Sequence, residues 1–542
     1  MKPERELRVS THGFLSDEET IIDEILKQRG IIDKDEFLYP DEKYLLADET
    51  IENFQDGLNL MSLKLKEDTL FYLSVDCDVD GVTSGAIMYR WLMQRDRNAK
   101  YYVSKGKEHG ISQGLIDDLK DQLAALKDNQ NLFLIVMDSL DSDCSSYQSI
   151  HELGVDILIL DHHEIREEIP YQDYVTLVSS NHSQNHYLSG AGVVWKFCRA
   201  LDDLLYWDDF TFRELSDLAA VGLIADMMDV SQSSMETRFI VDQGLRSIKN
   251  PAIKKIIGNY DFNSTAIAFS ISPLINAACR YFENDTAFLT FISDDEKIIK
   301  RCIRTMKHCK ERQKDDYEAI RDSLEELIDE QKDHPYLFLP IETEYGIAGY
   351  IANQILSTYQ KPVFVVLEDE LTYHGSARST PAFDLREITH EIVPSATGFG
   401  HNQAFGFSIN KDEIFEFDEK LCQALGQAPI VVEEIDCLLD VEDITPCLIN
   451  YSKEIGRISG QGFKPLKYMV ETSPVKIRTM SDGKHLVFEG EEGMLFIQWN
   501  SGDQIDQFKN LHSPMRFIGT LDCGYFGRTW NRRMIIDSVE VL

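Results

Sequence analysis

Apolar runs in this chain repeatedly stop at acids or histidines. FYLSV leads into DCDVDG, which sets Asp76, Asp78 and Asp80 at alternate positions. LFLIVM ends at Asp138, DILIL leads to Asp161, His162 and His163, and VGLIA ends at Asp226. Short apolar runs that alternate with amphipathic stretches predict parallel strands joined by helices. Open α/β sheets gather ligands outside the carboxyl ends of their strands. These acids and imidazoles are therefore expected at one sheet edge. Oxygen donors suit Mg²⁺ or Mn²⁺, and an imidazole tilts the preference toward Mn²⁺. A lone DxDxDG also fits a calcium loop or a solvated turn, and tandem histidines fit a hydrogen-bonded loop pair. The combination of several acidic ends is what favours a metal cluster.

Length and composition bound the rest. The 542 residues are 43% hydrophobic and 27% charged, as in an ordinary globular protein of several domains. No apolar run is long enough to span a membrane. The first residues, MKPERELRVSTHG, lack the apolar core of a secretory signal, so a cytoplasmic location is expected. The ten cysteines are scattered without a CxxC pair and read as free thiols. The net charge of −39 opposes general nucleic-acid affinity. Any such binding should be confined to basic patches and be sensitive to salt.

Five regions are expected. Residues 1–65 read as a charged helical segment, and 66–284 as a parallel α/β domain. Residues 285–332 read as one long helix carrying Lys297, Lys300, Arg301, Arg304, Lys307 and Arg312, either a solvated side or a basic wall. Residues 333–425 read as a smaller α/β domain, and 426–542 as short strands forming a small β-barrel. There, GYFGRTWNRR interleaves aromatics with arginines. That pattern suits base stacking beside phosphate contacts, or simply barrel-core rings with exposed arginines.

DCDVDG, MDS, DHH and GLIADMMD together resemble the DHH phosphoesterase superfamily, and more narrowly its RecJ-like exonucleases. NHYLSGAGVVWK, ISPLINAACR, GSARS and GFGHNQAFGF are similar to further family segments, the last two to those of the DHH-associated domain. The resemblance implies that Asp78, Asp80, Asp138, His162 and Asp226 ligate two divalent ions, with Asp76 close by. It implies that Asp161 orients the histidines and that His163 meets the scissile phosphate. Arg280, Gln313, Ser376 and Arg378 fall on positions that hold a 5′-terminal phosphate, and Arg forks suit that task. Ser189, Lys105, Lys107, His401, Arg528 and Trp530 are further expected substrate contacts. The terminal barrel would be OB-like.

The sequence departs from the family pattern at three places. Phe399 stands where the family has the first Gly of Gly-Gly-His, Cys279 replaces a Gly, and Gly106 replaces an arginine. These changes bear on substrate grip more than on hydrolysis. The implied activity is 5′→3′ hydrolysis of single-stranded DNA to mononucleotides in DNA repair, recombination or replication. A narrow cleft between the two α/β domains would admit one strand. A monomer is expected, with a single-strand-binding protein or a helicase as candidate partners and no membrane. The alternatives are a DHH phosphodiesterase for short oligoribonucleotides or cyclic dinucleotides, and a replication scaffold without activity.

Overall fold

Strands that are apolar throughout can be satisfied only by cover on both faces, and this chain supplies it. In the computed structural model, β2 (Thr69–Val75), β3 (Ala99–Val103), β4 (Asn131–Met137), β5 (Asp156–Asp161) and β6 (Thr176–Ser179) form one sheet in the order β3-β2-β4-β5-β6. Every neighbouring pair is parallel. Phe71, Leu73 and Val75 pack into one core, while Leu70 and Tyr72 pack into another across the sheet. This is the period-two alternation of a strand with helices on both sides. The crossovers are the helices Val79–Met93, Gln113–Ala124 and Cys144–His151, as the sequence leads one to expect. The described residues are 5–13, 17–105, 109–140, 144–163, 175–181, 188–342, 345–426, 431–508, 513–526 and 529–542.

The chain divides into two compact units. Val9–Met306 and Glu434–Leu542 form one, and Lys307–Glu433 together with the residues up to Arg8 forms the other. The second unit contains a five-stranded sheet of β7 (Leu337–Pro340), β8 (Val363–Glu368), β9 (Thr372–Arg378), β10 (Thr397–His401) and β11 (Ala404–Asn410), in the order β10-β11-β9-β8-β7. Phe364, Phe407 and Phe417 interlock edge-on or tilted in its core. The expected long helix begins later than its predicted bound. A short helix, Asn284–Ile292, precedes it, and the long helix runs Glu296–Glu330. The break is sealed locally: the Ser293 hydroxyl accepts from Asp295 N, and the Asp295 carboxylate accepts from Lys297 N.

Two expectations fail at the ends of the chain. The N-terminal segment is not purely helical, because β1 (Arg5–His12) precedes its first helix, Glu18–Gln28. The C-terminal strands are β12 (Val431–Leu439), β13 (Tyr468–Thr472), β14 (Lys476–Met480), β15 (His485–Glu489), β16 (Leu495–Gln498), β17 (Met515–Phe526) and β18 (Thr529–Val541). They do not close into an OB-like barrel. With β1 they form an open eight-stranded sheet, in the order β1-β12-β13-β17-β18-β16-β15-β14. The physical reason is pairing. β12–β13 and β16–β18 pair in parallel, and the long β17–β18 hairpin carries one bulge at Ile518/Gly519. Alternating short strands announce themselves in sequence, but their partners do not.

Nor is this sheet an appended module, since its core is continuous with that of residues 9–306. Phe37 meets Phe463 edge-on at 4.8 Å. Arg29 forks onto the Asp436 carboxylate at 2.6 Å through both Nε and a terminal nitrogen. Arg238 is fully buried. It donates to the Phe37 carbonyl at 2.6 Å and the Val230 carbonyl at 2.9 Å, with its guanidinium 3.5 Å from the Phe37 ring centroid. Burial pushes its pKa down to about 9 even with Asp242 nearby. Replacing Arg238 with Met would leave those carbonyls unsatisfied. A loss of ~2–4 kcal/mol is expected in chemical denaturation, on the basis of charged hydrogen bonds and orphaned buried acceptors. Unchanged stability would rule out Arg238 as the staple.

Candidate metal centre

The carboxyl edge of the parallel sheet collects the expected residues. Asp76 follows β2 directly and is buried. Asp78 caps the helix Val79–Met93 by accepting from Gly81 N at 2.9 Å, and Asp80 lies in that helix's first turn. Both carboxylates sit at the positive end of the helix dipole, where negative charge is favoured. Asp138 follows β4 with φ of +56°, a left-handed turn that Asp tolerates better than most residues. Asp161 closes β5, and His162 and His163 follow it.

Asp226 reaches the site differently. VGLIA is not a strand but the last turns of the buried helix Ser216–Ala225, and Asp226 is its C-cap. A carboxylate there faces the negative end of a dipole, an arrangement that a bound cation would relieve.

Three groupings bring the donor atoms within 4.8 Å of one another: Asp80 with His162 and Asp226, Asp76 with Asp78 and Asp138, and Asp138 with both histidines. His162 Nε2 lies 3.1 Å from Asp138 Oδ1, 3.5 Å from Asp226 Oδ2 and 4.0 Å from Asp80 Oδ2. Those three oxygens are buried without a hydrogen-bond partner among the described residues. So many unpaired buried acceptors converging on one imidazole would be costly in an isolated protein core. The donor set of carboxylates with one imidazole fits divalent cations such as Mn²⁺ or Mg²⁺. Asp138 belongs to two of the groupings, which suits a residue shared by two ions.

The electrostatics agree. Burial first, then neighbouring carboxylates, push Asp138 and Asp226 well above the usual carboxylate range. Burial also raises Asp80, despite hydrogen bonds that pull the other way. Asp78 reaches solvent, yet enclosure and the charges of Asp76 and Asp80 push it up to about 7. Asp161 goes the other way. Burial alone would raise it, but the charge and hydrogen bonds of His163, with the charge of His162, hold it below the usual range. Its Oδ1 accepts from His162 N at 2.7 Å, His163 N at 2.6 Å and His163 Nδ1 at 2.9 Å, and its Oδ2 accepts from Leu140 N at 3.0 Å. Burial would depress His163, but Asp161 outweighs it and raises the ring to about 9.

Sequence reasoning missed His109 and Ser139. His109 Nδ1 lies 3.1 Å from Asp76 Oδ2, and its ring meets that of His163 edge-on at 4.9 Å. The Ser139 hydroxyl accepts from Gly110 N at 2.9 Å. The signal for His109 was present in KGKEHG, which follows β3 in the sequence, but that segment was read for its lysines. Ser189 meets the cluster itself. It is fully buried, and its hydroxyl donates to Asp80 Oδ1 at 2.7 Å, where Ala191 N also donates at 3.1 Å. It holds an acid of the cluster in place. The glycines beside it explain the SGAG run. A Cβ on Gly190 would stand 2.6 Å from Asp138 Cβ, and one on Gly192 2.9 Å from Leu223 Cδ2.

The other expected contacts fall in both units. Arg280 ends the helix Ser272–Arg280, with no ion pair among the described residues, and burial lowers its pKa. In the second unit, Gln313 is buried, and its Nε2 has no hydrogen-bond partner among the described residues. Ser376 and Arg378 sit on the same face of β9, at the start of the helix Ala348–Tyr359. A Cβ on Gly349 there would lie 3.3 Å from the Ser376 hydroxyl and 2.9 Å from the Arg378 guanidinium. Arg378 Nε donates to Asn353 at 3.0 Å. Lys105 is exposed after β3. Lys107 and Arg528 lie outside the described residues, and only the backbones of His401, at the end of β10, and Trp530, in β18, are described.

Comparison with known proteins places these features in context. Residues 70–225 match the DHH family, N-terminal domain, and residues 333–427 match the DHHA1 domain. A putative SPbeta prophage-derived single-strand DNA-specific exonuclease of Bacillus subtilis is 27% identical over 429 residues, 72% of each chain. The single-stranded-DNA-specific exonuclease RecJ of Thermus thermophilus is 25% identical over 464 residues, covering 84% of this chain and 66% of its own. The crystal structure of Thermus thermophilus RecJ in complex with Mn²⁺ aligns with a TM-score of 0.77 at 21% identity, over 99% of this chain and 80% of that one. At that identity the likeness is one of fold.

Proposed function

We propose that this RecJ-like chain, with its DHH and DHHA1 domains, is a divalent-metal-dependent exonuclease that hydrolyses single-stranded DNA in the 5′→3′ direction to mononucleotides. The observation that carries the reading is the set of buried, unpartnered oxygens of Asp80, Asp138 and Asp226 around His162 Nε2. Two divalent ions held by Asp76, Asp78, Asp80, Asp138, His162 and Asp226 would activate water and stabilise charge on the phosphate.

The chain's own residues prepare the rest. Asp161 commits His163 Nδ1 and favours the cationic ring, leaving Nε2 to donate to a phosphate oxygen. Ser189 and Ala191 N fix Asp80 so that its other oxygen points to the cluster. Each unit also offers anion-binding groups. Arg280 in the first unit has no ion pair among the described residues, and in the second Ser376 and Arg378 flank a helix N-terminus. A terminal 5′-phosphate is the anion proposed for Ser376 and Arg378.

The test follows activity with Mn²⁺ on long strands labelled at either end, as single strand and duplex, DNA and RNA. Mononucleotides released from the 5′ end of single-stranded DNA are the expected result. Turnover of only very short oligoribonucleotides or cyclic dinucleotides would replace this reading with a small-substrate phosphodiesterase. No turnover of any of them would leave a scaffold.

A further inference from the structure

We propose that His334, Asp418 and Cys422 bind one Zn²⁺ ion, at a site in the DHHA1 domain separate from the cluster at the parallel-sheet edge. The inference does not rest on the proposed nuclease function. One nitrogen, one oxygen and one sulfur from these residues lie within 4.8 Å of one another. Cys422 Sγ is 3.9 Å from His334 Nδ1 and 3.6 Å from Asp418 Oδ1. A tetrahedral Zn²⁺ at ordinary bond lengths separates sulfur from a nitrogen or oxygen ligand by about 3.5 Å. The side chains therefore need only a small contraction to close on an ion.

The framework is already built. Asp418 and Cys422 are four residues apart on the helix Ile414–Leu425, so both project from one face. His334 comes from the loop between the long helix and β7. That loop is pinned at both ends. Lys361 Nζ donates to the carbonyls of Lys332 and His334, at 2.5 and 2.8 Å, and Gln331 exchanges two 2.8 Å hydrogen bonds with the Phe338 backbone. The Tyr336 hydroxyl donates to Asp418 Oδ1 at 2.6 Å, an outer contact of the kind that orients a ligating carboxylate. A thiolate and an imidazole select Zn²⁺ over the Mg²⁺ or Mn²⁺ favoured by the oxygen-rich cluster. His334 is exposed and the other two are half-buried, so a fourth position is open to water. Bound there, the ion would tie the helix Ile414–Leu425 to the loop that leads into β7.

The test uses the full chain and Co²⁺ as a spectroscopic probe, because only a thiolate ligand gives the sulfur-to-cobalt charge-transfer band. With excess Mg²⁺ occupying the oxygen-rich cluster, Co²⁺ is expected to produce the band, and Zn²⁺ to displace it. Cys422→Ser should abolish it. Cys77→Ser, a control for the thiol beside the acidic cluster, should leave it intact. His334→Ala and Tyr336→Phe should each weaken binding by about tenfold or more. Circular dichroism checks that the Cys422 variant folds; if it does not, the His334 variant decides. Absence of the band, or its survival in both the Cys422 and His334 variants, overturns the proposal.

Discussion

Asp138→Asn is expected to lower single-strand hydrolysis by roughly three orders of magnitude, while making the metal-free protein more stable. The first effect follows from its place in two of the donor groupings. A shared ligand positions both ions, and metal stabilisation of a phosphoryl transition state is worth several kcal/mol, at about 1.4 kcal/mol per tenfold in rate. The second effect follows from charge. Burial and four neighbouring carboxylates raise the Asp138 pKa well above its unfolded value. Between those two values the native state holds a proton that the unfolded chain has released, so stability falls as pH rises through the window. Asparagine removes that liability and suits the φ of +56°. Thermal melts in chelator at pH 8 should show the variant above wild type, with the gap closing toward pH 4. Adding Mn²⁺ should raise wild type by more than the variant. A variant that melts below wild type in chelator would show that Asp138 is held by bonds and not by an awaited cation.

Much of this was legible in the sequence, for identifiable reasons. Parallel strands buried on both faces leave continuous apolar runs, so β2, β4 and β5 declared both themselves and the acids at their ends. VGLIA is equally apolar, yet it belongs to a helix buried on all sides, a case that periodicity alone does not separate from a strand. β1 was hidden because RELRVSTH is mostly polar and its neighbour β12 lies far along the chain. The C-terminal strands were visible as strands, but closure into a barrel depends on which edges meet. His109 was obscured because a single histidine in a loop carries no spacing pattern. Its meaning comes from the 3.1 Å approach to Asp76, which only the fold creates.

Asp161→Asn should cut activity by ~10–100-fold and, unlike Asp138→Asn, should weaken the protein whether or not metal is present. Asp161 is as buried as Asp138, but its two oxygens accept four hydrogen bonds, from His162 N, His163 N, His163 Nδ1 and Leu140 N. An amide has only one acceptor oxygen. Whichever way it turns, its NH₂ group faces a donor, and charge-assisted bonds worth roughly 1.5–3 kcal/mol each are lost or weakened. The rate effect comes through the histidines, since an outer partner that fixes a ligand or a phosphate-binding ring typically contributes that range. The pH signs also oppose each other. The Asp161 pKa is lowered in the fold, so its contribution is complete above the ordinary carboxylate pKa and fades as pH falls toward the folded value. The wild-type advantage over Asp161→Asn should therefore persist at pH 8 and shrink in acid, measured by denaturant melts in chelator. His163 should lose its elevated pKa in the variant, moving its NMR titration down from about 9. If Asp161→Asn and Asp138→Asn shifted stability in the same direction without metal, the division between acids satisfied by the chain and acids left for a cation would fail.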